Sequence, residues 1–172
     1  DTQRDIADMT EDMEEMDRMI GGYLAFVRGV GEEPAQPVDL PGLLEEVAAR
    51  ARRGGADITL EAPEELPVML RPDAFRRAVT NLVDNARRHA RHVRLSAAAA
   101  GPHRVQVVVE DDGPGIEVAR REEVFRPFES GPEGGTGLGL TIALDIVRAH
   151  GGDIALEDSA MGGLRARISL PM

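Results

Sequence analysis

Apolar residues at Ile6, Met9, Met13, Met16, Ile20, Tyr23 and Val27 recur at alternating intervals of three and four, with Asp8, Glu11, Asp12, Glu14, Glu15, Asp17 and Arg18 mostly between them. That period predicts one long helix with a narrow apolar seam of the coiled-coil type. Met19, Leu24 and Phe26 widen the stripe towards the C-terminal half, while Gly21-Gly22 lowers the local propensity. A helix of this kind cannot bury its seam alone, so a partner helix is expected. Residues 29–37 then bring Gly, Glu and Pro together and read as a linker or hinge.

Beyond the linker the pattern becomes that of a packed domain. Asp39 stands where it could cap a helix running to Arg53, with Leu40, Leu43, Leu44 and Val47 on the buried face and Gly54-Gly55 as the stop. Residues 57–60 and 67–70 are short candidate strands around the turn-rich 62–65. Pro72 suits the first turn of a helix to His89, along which Phe75, Ala78, Val79, Leu82, Val83 and Ala86 keep a helical period. Strands are expected at 92–98 and 104–110, the second with Val105, Val107 and Val109 on one face. A short helix is expected at 117–123, a longer one from Leu140 to His150, and two strands near 153–158 and 163–170. Helices gathered around an antiparallel or mixed sheet make an α/β two-layer sandwich.

The 172 residues allow one packed domain with an accessory element. Aromatic residues are only 3% of the chain and Trp is absent, so Leu, Ile, Val, Met and Ala must fill the core. The net charge of −11 disfavours a nucleic-acid backbone as partner. A nucleotide remains possible, because a metal ion and backbone N–H groups set a local potential of their own. Without cysteine there are no disulfides, thiolate nucleophiles or thiolate-held metals. No run of about 18 apolar residues is present, and the start resembles no signal peptide. The chain begins at Asp1 rather than Met, and is expected to be a soluble portion of something longer.

Three stretches carry candidate chemistry. Asp111-Asp112-Gly113-Pro114-Gly115-Ile116 follows a strand directly; its glycines permit a sharp turn and close ligand approach, and a buried carboxylate there could accept from an exocyclic amine such as that of adenine. Alone, the run also reads as an ordinary acidic turn. Gly134-Gly135-Thr136-Gly137-Leu138-Gly139-Leu140 runs into a helix, where exposed backbone donors suit phosphate oxygens; a flexible loop and helix cap is the plainer reading. No lysine exists for a Walker-type loop, and the dinucleotide fingerprint lacks its strand–helix context. The third stretch is Asn81, Asn85, Arg88 and His89 on the 72–89 helix, where the spacing stacks Asn81, Asn85 and Arg88 on one side. An Asn oxygen suits Mg²⁺ alongside water and phosphate ligands, and Arg88 offers directional donors to phosphate. Taken alone, both asparagines also fit as partly buried hydrogen-bonding residues.

In this order the stretches resemble the ATP-binding domain shared by sensor histidine kinases, gyrase-type topoisomerases, Hsp90 chaperones and MutL-type repair proteins. Asn81-Leu82-Val83-Asp84-Asn85-Ala86 looks like the histidine-kinase N box, Asp111-Asp112-Gly113-Pro114-Gly115 like the G1 box, Val124-Phe125-Arg126-Pro127-Phe128 like the F box, and Gly135-Thr136-Gly137-Leu138-Gly139-Leu140 like the G2 box. The resemblance covers roughly 38–171 and implies ATP and Mg²⁺ as cofactors. It implies that Asn85 binds Mg²⁺ beside Asn81, that Arg88 touches phosphate, and that His89 lies against the nucleotide. Asp111 would receive the adenine amine, Gly113 and Gly115 would shape the pocket, and Ile116 would line it. Phe125 and Phe128 would anchor a lid whose Gly135, Thr136, Gly137, Leu138, Gly139 and Leu140 close over the phosphates.

The resemblance also divides the chain into 1–28, like the second helix of a dimerising phosphoacceptor hairpin whose first helix is absent, the 29–37 linker, and a 38–172 catalytic domain. Implied partners are that hairpin, a response regulator and a second copy in a homodimer, within the cytoplasmic part of an inner-membrane sensor. None of His89, His92, His103 and His150 falls on the 1–28 helix, so the acceptor is expected outside this chain. Residues 129–136 contain no basic side chain, where many relatives carry Arg or Lys; Arg126 is the candidate substitute. Two other readings stand beside the kinase. One is a nucleotide-binding regulator or pseudokinase. The other is an ATP hydrolase of the chaperone or repair branch, which needs a glutamate where Asn81 stands, and an amide cannot act as a general base.

Overall fold

The computed structural model describes residues 2–29, 33–126 and 139–172, without the side chains of Met19 and of 22–29. Helix α1 spans Thr2–Gly29. Its seam residues Ile6, Met9, Met13, Met16 and Ile20 are between 40% and 64% exposed, so the apolar stripe is uncovered over that length. Tyr23, Leu24, Phe26 and Val27, which complete or widen the expected stripe, lie outside the described side chains.

Five strands form the main sheet in the order β2 (Asp57–Glu61), β4 (His92–Ala99), β5 (Arg104–Asp111), β7 (Leu164–Pro171), β6 (Asp153–Asp158), after β1 (Gln36–Asp39) and β3 (Pro67–Leu70) have paired separately. Among the described residues only β2–β4 is parallel; the other pairings are antiparallel. Helices α2 (Leu40–Arg53), α3 (Pro72–His89) and α4 (Gly139–Ala149) supply the second layer, and their apolar faces meet one face of the sheet in a single core. Phe75, Leu40, Leu44, Ile146, Leu95, Val107 and Ile168 are among its fully buried side chains. Each such residue contributes about 1.5–3 kcal/mol through burial. The expected two-layer α/β sandwich is the observed fold.

Three local expectations are corrected. Asp39 occupies the N-cap position of α2, but its Oδ1 accepts from Leu66 N at 3.0 Å instead of from the helix. Pro41 already removes one orphan donor there, which leaves the carboxylate free to hold the chain entering β3. The expected 57–60 and 67–70 strands are present, β2 in the main sheet and β3 paired with β1, but β1 begins within 29–37, so that the end of the stretch read as linker is strand. The short helix expected at 117–123 is two 3₁₀ turns, Val118–Arg120 and Glu123–Phe125. Arg121 braces this region by donating from Nε to Ile116 O at 3.0 Å and pairing with Asp158.

Candidate functional site

Successive strand residues face opposite sides, so Glu110 and Asp111 at the end of β5 point away from each other. Both are buried, at 3% and 5% exposure. Glu110 is paired with Arg94 at 2.9 Å on the face away from the helices and accepts from Ser159 Oγ at 3.1 Å. Asp111 lies on the helix side, where its Oδ1 accepts from Gly113 N at 2.9 Å and from Leu164 N at 3.2 Å. Among the described residues no donor meets its Oδ2. The β6–β7 turn is thus held from both faces of the sheet, by Ser159 through Glu110 and by Gly163–Leu164 through Asp111; Gly163 N also donates to Asp111 O at 3.1 Å.

Gly113 brings the turn after β5 against the end of α3. A Cβ there would stand 2.5 Å from His89 O, so only glycine lets the two segments meet. Gly115 has φ 73°, the left-handed region glycine favours. Between these segments lies a cleft of about 490 Å³ lined by Arg88, His89, Ala90, Arg91, Asp112, Gly113 and Pro114. Asp112 closes its floor by accepting from Arg91 N at 2.9 Å and His92 N at 3.0 Å. The His92 amide, supported by that of Arg91, holds the Asp112 carboxyl below the ordinary carboxylate range.

Along α3, Asn81 and Asn85 are half-buried, and Asn81 Nδ2 donates to Gly139 O at 3.1 Å, tying the helix to the first residue of α4. Nearby, Thr141 Oγ1 donates to Phe125 O at 2.7 Å, and Phe125 packs against the core. Arg88 is exposed and its Nη2 reaches Glu15 Oε1 of α1 at 3.5 Å. Ile116 is half-buried and Arg126 exposed. The structure therefore brings together Asn81 with Gly139, and Arg88 and His89 with Asp112 and Gly113 around the cleft, while Asp111 meets Gly113 from the strand side and is not among the residues that line it. Arg126 has no contact with them among the described residues. Phe128, Gly135, Thr136, Gly137 and Leu138 lie outside the described residues; Leu140 is half-buried in the first turn of α4.

Sequence reasoning missed Gly163, Leu164 and Ser159, which fix Asp111 and the turn behind it, and Arg91 at the rim of the cleft. A Gly-Gly pair entering a strand was the available signal for Gly163. No cluster of three or more His, Asp or Glu side chains suited to hold a metal exists among the described residues.

This geometry has known counterparts. A sequence profile of the histidine kinase-, DNA gyrase B- and HSP90-like ATPase family matches residues 71–172, from the start of α3 to the last strand. The chain belongs to that family. Among curated relatives it is similar to the sensor histidine kinase GtrS of Pseudomonas aeruginosa, with 37% identity over 164 residues that cover 93% of this chain and 34% of that protein. It thus spans about a third of that relative. Among solved structures it resembles full-length ShkA in complex with AMPPNP, at TM-score 0.79 and 27% identity over 98% of this chain and 38% of that one. The mycobacterial sensor histidine kinase MprB gives TM-score 0.72 and 29% identity over 80% of this chain and 97% of that one. Family membership makes the domain from α3 onwards a nucleotide-binding one, and no described helix is long and apolar enough to cross a membrane.

Proposed function

We propose that this chain is the catalytic portion of a two-component sensor histidine kinase, which binds Mg-ATP and passes the γ-phosphoryl group to a histidine outside residues 1–172. The supporting observation is the buried Asp111, whose Oδ1 is saturated by two backbone amides while Oδ2 remains to accept from the exocyclic amine of adenine. The α3 face of Asn81, Asn85 and Arg88 would then meet the phosphates. Since no carboxylate or histidine cluster could hold a metal alone among the described residues, a divalent cation would rest on Asn85 and on oxygens brought by the nucleotide. Bound Mg²⁺ would offset phosphate charge during transfer.

The transfer breaks the bond from γ-phosphorus to the β–γ bridging oxygen and forms one to an imidazole nitrogen, with ADP leaving. His150 is poorly placed as a nucleophile. It donates from Nδ1 to Ile146 O at 2.8 Å and accepts at Nε2 from Arg71 N at 3.1 Å, so both ring nitrogens are engaged. The acceptor hairpin, a response regulator and a homodimer in the cytoplasm are the partners this reading requires, and the uncovered α1 seam is where the missing hairpin helix would pack.

Calorimetry with and without Mg²⁺ tests the site. Asp111→Ala should lower ATP affinity roughly 10- to 150-fold, the loss of one hydrogen bond to a charged group, and Asn85→Ala should remove most of the Mg²⁺-dependent part. Equal loss for ATP and GTP in the Asp111 variant would mean that it does not read the base. Radiolabelled ATP should leave this chain unlabelled on histidine and put acid-labile label on an added hairpin from its parent. A folded hairpin that stays unlabelled favours the nucleotide-binding regulator.

A further inference from the structure

The N-terminal segment touches both ends of α3 through acidic side chains. At the start of the helix, Arg71 provides no side-chain cap. Glu33 supplies one from outside, its Oε2 accepting from Asp73 N at 2.8 Å and its Oε1 from Ala74 N at 3.0 Å. At the other end Glu15 meets Arg88. Chain order therefore runs α1 back along α3, from its C-terminal end towards its N-terminal end. The lengths agree: Glu15 to Gly29 and Ala74 to Arg88 each cover about 21 Å at helical rise. α1 also touches α4. The Glu15–Arg88 pair thus stands where α1 passes the C-terminal end of α3, while the apolar seam of α1 stays exposed.

Arg88 lines the cleft and carries the charge that a phosphate would seek. We propose that Glu15 is an anionic latch on the nucleotide site: it occupies Arg88 while α1 is docked, and the phosphates of an incoming nucleotide displace it. The inference rests on the nucleotide reading above and adds a regulation to it. Both side chains are nearly half exposed, at 44% and 43%, so the pair is weak and screened by salt. A phosphate group carries more charge and can take two guanidinium donors at once, so it wins the competition. Nucleotide binding thereby releases the Glu15 end of α1 while Glu33 keeps the linker end at α3. The coupling is reciprocal: whatever draws α1 away, such as the missing hairpin helix, raises affinity for nucleotide.

The test compares Mg-ATP and adenosine as probes on the full chain at low ionic strength. Glu15→Gln should tighten ATP binding about two- to five-fold, the range an exposed pair supports, and leave adenosine, which has no phosphates, unchanged. The gain should fade in high salt and vanish in an Arg88→Ala background. Unchanged ATP affinity in Glu15→Gln, or the same gain for adenosine, overturns the latch and leaves the nucleotide reading intact. Failure of the unaltered chain to bind either ATP or adenosine overturns both.

Discussion

Gly163 has no side chain, and the space where one would go is already filled. A Cβ there would lie 2.2 Å from Asp111 Oδ1, 2.5 Å from Asp111 O and 2.6 Å from Gly113 N, all of them backbone or buried carboxylate atoms that cannot swing aside. Gly163→Ala should therefore cost about 1–3 kcal/mol in urea unfolding, the usual penalty of overpacking, and should also weaken ATP binding as Asp111→Ala does. Gly162→Ala is the control. Its φ of 101° makes the substitution strained, but its Cβ would meet open space, so stability should fall while preference for ATP over GTP persists. Wild-type ATP affinity in Gly163→Ala would show that Asp111 is not held from this turn. Residues were unequally legible here. Asp111 and Gly113 stand two residues apart in a recognisable run, whereas Leu164 reaches the same carboxylate, and Gly163 the Asp111 carbonyl, from about fifty residues on. A single sequence does not display that contact.

At the scale of elements, the long periodic segments were read within a residue or two of their observed ends. α3 fits this account well, because Pro72 fixes its start and its apolar stripe is continuous. The edges were harder. β3 was expected at 67–70, but its partner β1 is a four-residue strand, too short to show a period, that begins within the Pro-containing run read as linker. Capping also escaped the local rules: Asp39 turned to Leu66, and the cap of α3 comes from Glu33, some forty residues away. Glu33→Ala leaves the α3 start with two unpaired N–H groups and removes a carboxylate from the positive end of the helix dipole. The expected cost is about 0.5–2 kcal/mol in urea unfolding, together with faster amide exchange at Asp73 and Ala74. Protection unchanged at those two amides would place the cap elsewhere.

For the whole molecule, acid pH sets two effects against each other. At neutral pH the net charge of −11 makes the folded chain repel itself, and titration towards the pI of about 4.8 relieves that strain. Carboxylates held by particular partners act the other way. Arg167, hydrogen-bonded to Glu157 at 2.8 Å across β6 and β7, keeps the Glu157 carboxyl below its ordinary value. The amides of His92 and Arg91 do the same for Asp112 at the cleft. A carboxyl that is more acidic folded than unfolded stabilises the fold fully above its unfolded pKa, near 4.5 for the glutamate and 3.8 for the aspartate. That stabilisation drains away as pH falls through the lower, folded value. Stability should accordingly hold or rise slightly from pH 7 to about 5, where self-repulsion fades, and drop below about 4.5, where the unfolded chain begins to take up protons that the folded Glu157 and Asp112 still resist. Thermal unfolding of the unaltered chain and of Glu157→Gln between pH 7 and 3 separates the contributions. The variant should be less stable at pH 7 and should lose less between pH 5 and 3, so that the two curves converge at the acid end. Parallel curves over the whole range would mean that the Arg167 pairing adds no pH-dependent stability, leaving the acid limb to other carboxylates.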